Sequence, residues 1–301
     1  MSSPHNSTSA RQLSVVVGSV ESARSIVSCI DALRESCREF DAELIVVDAG
    51  GDPVVAAAVS AHPEIRFVAL PADSLTPRLW SEGIAVSSGT VIALTTGHCF
   101  VSRAWAAKLI SALGNGAAAA GGPLRLESTA TTLDAAIFFL RYSAFIEGRA
   151  DGNIDDIPGD NAAYFRSHIP PRSWSRELGF WERDVNRAIR ASGQSLVWSR
   201  EAVAEFGRSF RFGSICRHRF AHGRLFGRSR VANDGESRLK IVLASVVVPF
   251  ILPIRAGRRV LGNDRYRMRF IVALPFMILI AACWAAGEAA GAMEASVADR
   301  R

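Results

Sequence analysis

The sequence has no CxxC pair. Its five cysteines, Cys29, Cys37, Cys99, Cys216 and Cys283, are scattered and odd in number. That argues against a disulfide framework or a cysteine-based zinc site and fits reduced thiols in a cytosol-facing domain. The first residues, "MSSPHNSTSARQ", lack the apolar stretch of a cleavable signal peptide. There is no internal repeat. Charge is modest, 21% of residues against 49% hydrophobic, so the chain is not of the disordered class. Acid is the scarcer sign: the net charge is +6 over 301 residues, with a pI near 9.5. A basic balance points to nucleic acid, anionic lipid or phosphate-bearing ligands, or to basic flanks of membrane segments. No nucleic-acid reader motif accompanies the arginines, so nucleic acid is not expected as a partner.

What is present is alternation. Short apolar runs at 13–19, 42–52, 65–71 and 90–96 read as strands. Between and after them, 21–37, 53–62, 78–89 and 102–116 carry helical spacing, with Ile26, Ile30 and Leu33 on one face of the first. Strand and helix in turn predict an α/β fold, a mostly parallel sheet with helices on both faces. Ligands of such sheets sit at the carboxyl ends of the strands, where Gly18, Asp48 and His98 fall. Beyond 116 the pattern weakens: a further strand over 117–126, an apolar helix over 131–148, a loop entering a short helix over 156–169, and a helix from 180 that Gly193 ends before a strand.

Composition then shifts. Residues 206–230 hold seven arginines, two histidines and no acid. Two apolar stretches follow, 241–254 with two prolines and 270–287 without a charge. The second is long enough to span a bilayer and the first is marginal. Six arginines lie between them, which places that linker in the cytoplasm. The basic block before the first stretch also reads as cytoplasmic, so the first is expected to be interfacial or re-entrant and the second to cross. A two-helix hairpin, or two soluble core helices, are the alternatives. The expected organisation is an N-terminal disordered arm (1–11), a catalytic domain (12–205), a basic juxtamembrane segment (206–240), two membrane-associated apolar segments (241–293) and a tail (294–301).

Five stations along 13–200 carry candidate chemistry. "VVVGSVESA" is a strand and loop containing Gly18. "ELIVVDAGGD" is a strand closing on Asp48, with Asp52 four residues on. "VIALTTGHCF" is a strand ending at Thr96 and His98. "GDNAAYFRSHI" contains Asp160 and Asn161. "GFWERDVNRAIRASG" opens a helix with Glu182 and Asp184. This ordered set resembles the family 2 inverting glycosyltransferases. The resemblance covers about 60% of the chain by span and implies a GT-A fold, a single Rossmann-like domain that binds a nucleotide-sugar.

On that resemblance Gly18 belongs to the base-binding loop, and Asp48 accepts hydrogen bonds from a base or ribose. Asp48 is otherwise a turn residue, and Asp52 reads as a helix N-cap. Asp160 and Asn161 would line the sugar pocket, or else start a helix. Glu182 would be the base that takes the acceptor hydroxyl's proton, with Asp184 as the fallback; otherwise both are acids favouring a helix N-terminus. Arg217, Arg219, His222 and Arg224 could clamp a diphosphate or a lipid phosphate, or anchor to anionic head groups.

The departures are as telling. The family's Asp-any-Asp metal motif falls on Thr96, Gly97 and His98, so the divalent metal the family implies, Mn²⁺ or Mg²⁺, has lost its hard oxygen ligands. His98 is left as a candidate metal ligand or a phosphate donor. Trp80 and Ser81 replace an Arg-Asn pair, with Arg78 two positions off, and Trp181 replaces the first of two acids. The expectation is a membrane-attached enzyme on the cytoplasmic side of the inner membrane. It would transfer a sugar from a nucleotide-sugar to a lipid-linked or glycan acceptor near the membrane. The alternative is a GT-A-like scaffold without activity.

Overall fold

The computed structural model describes residues 12–295 apart from 115, 172–173, 177–178, 208–209 and 233–234. The arm expected over 1–11 and most of the tail lie outside the described residues. The described chain forms two compact units. Residues up to Arg125 together with Glu147–Glu205 make the first. Leu126–Ile146 and the residues from Phe206 onward make the second.

The first unit opens with β1 (Leu13–Ser19), α1 (Ile26–Cys37), β2 (Ala42–Ala49), α2 (Pro53–Ser60), β3 (Arg66–Leu70), α3 (Thr76–Val86) and β4 (Val91–Thr96). β1, β2 and β4 are buried on both faces, as parallel strands under helices must be, while β3 at the sheet's edge is partly exposed. β5 (Cys99–Val101), α4 (Trp105–Leu113), β6 (Ala119–Gly121) and β7 (Leu124–Leu126) follow. The single strand expected over 117–126 is thus two, broken at Gly122-Pro123, because Pro123 has no N–H to give a ladder. After α5 (Thr132–Tyr142), which belongs to the second unit, come β8 (Gly152–Ile154), β9 (Ala162–Phe165), α6 (Glu182–Ala191), β10 (Leu196–Trp198) and β11 (Ala204–Phe206).

The main sheet runs β3-β2-β1-β4-β9-β6-β10-β8. Its β3-β2-β1-β4 half is parallel. β9 enters antiparallel to both β4 and β6. A loop leading to a short helix was the expectation there. The run Ala162-Ala163-Tyr164-Phe165 instead fills a central place in the sheet. Small side chains suit such a position, but they carry no periodicity to announce it. β5, β11 and β7 form a separate three-stranded sheet. Helix α1 starts later than expected, after a single 3₁₀ turn at Ser22–Arg24.

The chain runs β1 to β2 to β3 outward and returns to place β4 on the other side of β1. The switch between β1 and β4 is where such sheets leave a crevice. The register sets Gly18 opposite Thr96, and Ser19 opposite Asp48. On the α3 side, Val16 packs so closely on Gly83 that a methyl at Gly83 would overlap its side chain.

The second unit consists of α5, α7 (Phe212–Ala232), α8 (Arg238–Val260) and α9 (Asp264–Glu294). A Thr131–Asp134 capping box starts α5. Its Phe138, Phe139 and Tyr142 pack edge-on or tilted against Phe206, Tyr266 and Phe270. The 14-residue apolar stretch, marginal by itself, lies inside a 23-residue helix that continues through Pro249 and Pro253. Among the described residues, two helices, α8 and α9, are therefore long and apolar enough to cross a membrane.

Candidate functional site

β4 carries its apolar run to Thr96, and the turn Gly97-His98 hands the chain to β5. Thr96 is buried, and its hydroxyl donates to Asp160 Oδ1 at 3.0 Å. His98 does not face outward. Its Nε2 lies 2.7 Å from the Val20 carbonyl and 3.5 Å from Ser22 Oγ, and its Nδ1 lies 3.4 Å from Ser25 Oγ. A carbonyl can only accept, so Nε2 carries a hydrogen. A nitrogen so protonated cannot ligate a metal. Gly97 is pressed on Ser22, where a methyl would overlap the serine side chain. The loop after β1 therefore closes over this turn, and Glu21 within it takes a left-handed φ of 53°.

Asp48 ends β2 in the buried interior. Its Oδ1 accepts from Ser19 Oγ at 2.6 Å and its Oδ2 from the Asp52 N–H at 2.8 Å. Burial pushes its carboxyl above the usual range, opposed by hydrogen bonds from Ser19 and from the Asp52 and Gly51 amides. Asp52 caps α2, as the sequence reading had it, accepting from Val54 N–H at 2.8 Å.

Asn161 is fully buried. Its Oδ1 accepts from the Trp105 indole at 2.6 Å, and its Nδ2 donates to the Pro123 and Ala202 carbonyls at 2.9 and 2.8 Å. The amide is consumed by β-turn and loop backbone, so its side chain clamps the fold and has no hydrogen left for a sugar. Asp160 beside it is buried as well.

Glu182 opens α6 and is half-buried. Its Cβ and the Trp80 ring crowd Gly159 so closely that a methyl there would overlap the ring. Trp80 in turn donates from its indole to the Thr95 carbonyl at 2.9 Å and lies against Gly18. One tryptophan thus joins β1, the end of β4 and the Gly159-Asp160-Asn161 turn, with Glu182 close to the same glycine. Sequence reasoning noticed Trp80 only as the occupant of a lost Arg-Asn position. Tyr164, buried nearby, donates to Asn186 Oδ1 at 3.0 Å, and Asn186 donates to Asp156 at 2.6 Å. Burial, then the charges of Glu182 and Asp156, drive the Tyr164 phenol well above its usual range. Burial also raises the Asp156 carboxyl, against hydrogen bonds from Asn186 and the Ile157 amide. Asp156 was missed; an acid four residues before Asp160 was the available signal.

Asp184 is exposed and pairs with Arg187 at 3.0 Å, one turn along the same helix, a surface ion pair. Arg78 pairs with Glu82 at 2.7 Å, and Arg176 meets the same carboxylate. In the second unit the four basic candidates divide. Arg217 lies exposed beside Ser214 Oγ at 3.2 Å, and Arg224 pairs with Glu294 at 2.7 Å. Arg219 and His222 are half-buried, and burial lowers the proton affinity of both.

The donor set at β4 does not suit a divalent metal. Thr96 offers a hydroxyl already given to the Asp160 carboxylate, and His98 is engaged within the fold. Among the described residues, no three His, Cys, Asp or Glu side chains come together as metal ligands. Gly18, Asp48, Thr96, Asp160 and Glu182 do gather around the β1/β4 switch.

The model of the family described as glycosyl transferase family 2 matches residues 14–170, just over half of the chain. No curated protein matches. Among solved structures, a mannosyltransferase from Pyrobaculum calidifontis, in complex with GDP-mannose and Mn²⁺, superposes with a TM-score of 0.51 at 14% identity. It covers 91% of this chain and 87% of its own. A mycobacterial protein gives a TM-score of 0.50 at 17% identity, covering 72% of this chain and 74% of its own. At such identities the likeness speaks for the fold, a GT-A architecture.

Proposed function

The chain belongs to glycosyl transferase family 2, and from that premise we propose that it transfers a hexose, with inversion, from a nucleotide-sugar to a lipid-linked or membrane-proximal acceptor. The observation that carries this is the place of Glu182. It is a half-buried carboxylate at the start of α6, against Gly159 and Trp80 and beside the β1/β4 switch. Asp184 is turned to solvent and held by Arg187, which favours Glu182 as the base. The solved mannosyltransferase of like fold was captured with GDP-mannose, which supports a nucleotide-sugar donor here.

In this reading the nucleoside end of the donor meets Asp48 and the loop after β1. Glu182 accepts the proton of the acceptor hydroxyl as its oxygen attacks the anomeric carbon, and the nucleoside diphosphate leaves from the opposite face. No step is assigned to a metal. Glu182→Gln should lower turnover about 10²–10⁴-fold and leave donor affinity nearly unchanged. Turnover at the wild-type rate would refute the assignment.

Membrane attachment is through α8, whose Leu239, Leu243, Val246, Val247, Phe250 and Ile254 are exposed. Arg238 and Lys240 flank them at one end, and Arg255, Arg258 and Arg259 at the other. Both ends are basic, which favours a helix lying in the cytoplasmic leaflet. α9 runs along α7, touching it at Phe220 and Arg224 and pairing Glu288 with Arg230. So arginine-rich a neighbour does not belong in a bilayer core.

One observation favours the second reading, a non-catalytic scaffold. Asp48, Thr96, His98, Asp160 and Asn161 are all buried, with hydrogen-bond partners inside the protein. Thermal melting of the detergent-purified chain with UDP, GDP and their sugar conjugates, with and without Mn²⁺ or Mg²⁺, separates the two. An enzyme must be stabilised by one donor, and a chain stabilised by none is the scaffold.

A further inference from the structure

The turn at the end of β4 is tied to the loop after β1 at several points. His98 reaches three residues of that loop: Nε2 lies 2.7 Å from the Val20 carbonyl and 3.5 Å from Ser22 Oγ, and Nδ1 lies 3.4 Å from Ser25 Oγ. The 2.7 Å bond is the strong one, and the other two are at the long limit of hydrogen bonding. The Gly97 N–H donates to the Gly18 carbonyl at 3.0 Å, and a methyl at Gly97 would overlap the Ser22 side chain. Within the loop the Ser25 N–H donates to the Ser22 carbonyl at 2.8 Å, and the Ser25 hydroxyl donates to the same oxygen at 3.1 Å. Val20, Ser22 and Ser25 are buried beneath the loop, whereas Glu21 and Arg24 are exposed.

These ties bracket a strained residue. Glu21 takes φ 53° and ψ 32°, the left-handed region, without being a glycine. Such a backbone persists only where its surroundings hold it. Here His98 bonds the carbonyl of the residue before Glu21 and lies beside the hydroxyl of the residue after it. Thr96, two positions before His98, gives its hydroxyl to Asp160 Oδ1. The two side chains that stand where a metal motif would fall are thus both committed to ties within the chain.

We propose that His98 is a positioning residue whose Nε2–H fixes the loop Val20–Ser25 for the nucleoside end of the donor, without a divalent ion. The donor's part in this rests on the transfer reading above; the loop's part rests on the hydrogen bonds. A loop ordered before its ligand arrives lowers the cost of binding, so the effect of His98 falls on donor affinity. A glutamine at 98 keeps a terminal N–H at the reach of Nε2, whereas an alanine removes it.

The test uses the full chain in detergent. Amide hydrogen exchange, read by mass spectrometry over 20–25, reports how firmly the loop is held. Calorimetry with UDP-glucose and GDP-mannose reports donor affinity. His98→Ala should speed exchange over 20–25 about tenfold and weaken the bound donor by a like factor, the scale of one hydrogen bond. Exchange over 105–113 should not change. His98→Gln should restore most of both losses, which a general loss of packing would not allow. In the wild type, exchange over 20–25 should be the same with Mn²⁺ as with EDTA. Should His98→Ala fold poorly, Gly97→Ala keeps the test, since its methyl displaces Ser22 and should speed exchange over the same residues.

Three results would overturn the proposal: exchange over 20–25 indifferent to both variants, His98→Gln no better than His98→Ala, or a wild-type loop that only Mn²⁺ protects. A loosened loop with unchanged donor affinity also overturns it, and leaves the transfer reading standing. A wild-type chain that binds neither donor overturns the transfer reading and with it the donor's part, while exchange still decides whether His98 holds the loop.

Discussion

Asn161 illustrates what one side chain can hide. Its family resemblance pointed to a sugar contact, yet its amide holds the Trp105 indole and the Pro123 and Ala202 carbonyls. Asn161→Ala should leave those three groups unsatisfied in a dry interior and cost roughly 2–4 kcal/mol, read by chemical denaturation. A residue that merely touched ligand would leave the denaturation midpoint in place. The motif was legible; the direction of the side chain was not, because direction is set by Trp105, 56 positions away. His98 is similar. Its identity was visible, but its partners come from the loop around Val20.

His222 carries a pH prediction at the same scale. Its folded-state proton affinity is depressed, chiefly by burial and then by Arg219. The unfolded chain takes up a proton near pH 6.5, and the folded chain does not. Stability is therefore present above that pH and declines as pH falls through it. Melting temperatures measured from about pH 8 to about pH 5 should fall for the wild type. His222→Gln should show a shallower decline.

Among the elements, the pairing of α7 with α9 rests on four glycines. Methyl groups at Gly223 and Gly227 would run into the Trp284 and Glu288 carbonyls. Methyl groups at Gly287 and Gly291 would run into those of Phe220 and Arg224. Each helix thus offers two glycines four residues apart, and the backbones approach until nothing larger fits. Gly223→Ala or Gly291→Ala should cost about 1–3 kcal/mol by forcing the helices apart. Gly213→Ala, on the same α7 but with open space around it, should gain up to about 1 kcal/mol. Thermal melting of the three variants compares them directly. Both spacings, GRLFG and GEAAG, stand plainly in the sequence, so this contact could have been found there. β1, β2 and β4 were legible because buried parallel strands are continuous apolar runs. β5, β8 and β11 have three residues each, too few to show any period.

For the molecule as a whole, the proposed one-leaflet attachment through α8 predicts a shared side for chain segments on either side of α9. Single cysteines at Gly262 and at the C-terminal Arg301, in a background without the native ones, should both react with an impermeant thiol reagent only from the cytoplasmic face. Labelling of the two from opposite faces would mean that α9 crosses. The composition shift at 206 made the basic and apolar character of the C-terminal region readable. That Leu126–Ile146 packs with it was not, since α5 is an apolar helix like any core helix. Its Phe138 and Phe139 meet Tyr266 and Phe270 only through folding at long range.

That placement of α5 has a consequence for biogenesis. On the ribosome, Tyr266 emerges roughly 120 residues after Tyr142, on the order of ten seconds of synthesis. Phe206 emerges about halfway through that interval, but Tyr266 and Phe270 are unmade until its end, while the strands to either side of α5 are already free to pair. The aromatic face of α5 is therefore incomplete until α9 has been made. Exposed aromatic surface of that kind is where aggregation of a nascent chain starts, so truncation before α9 should lower the soluble yield more than truncation within it.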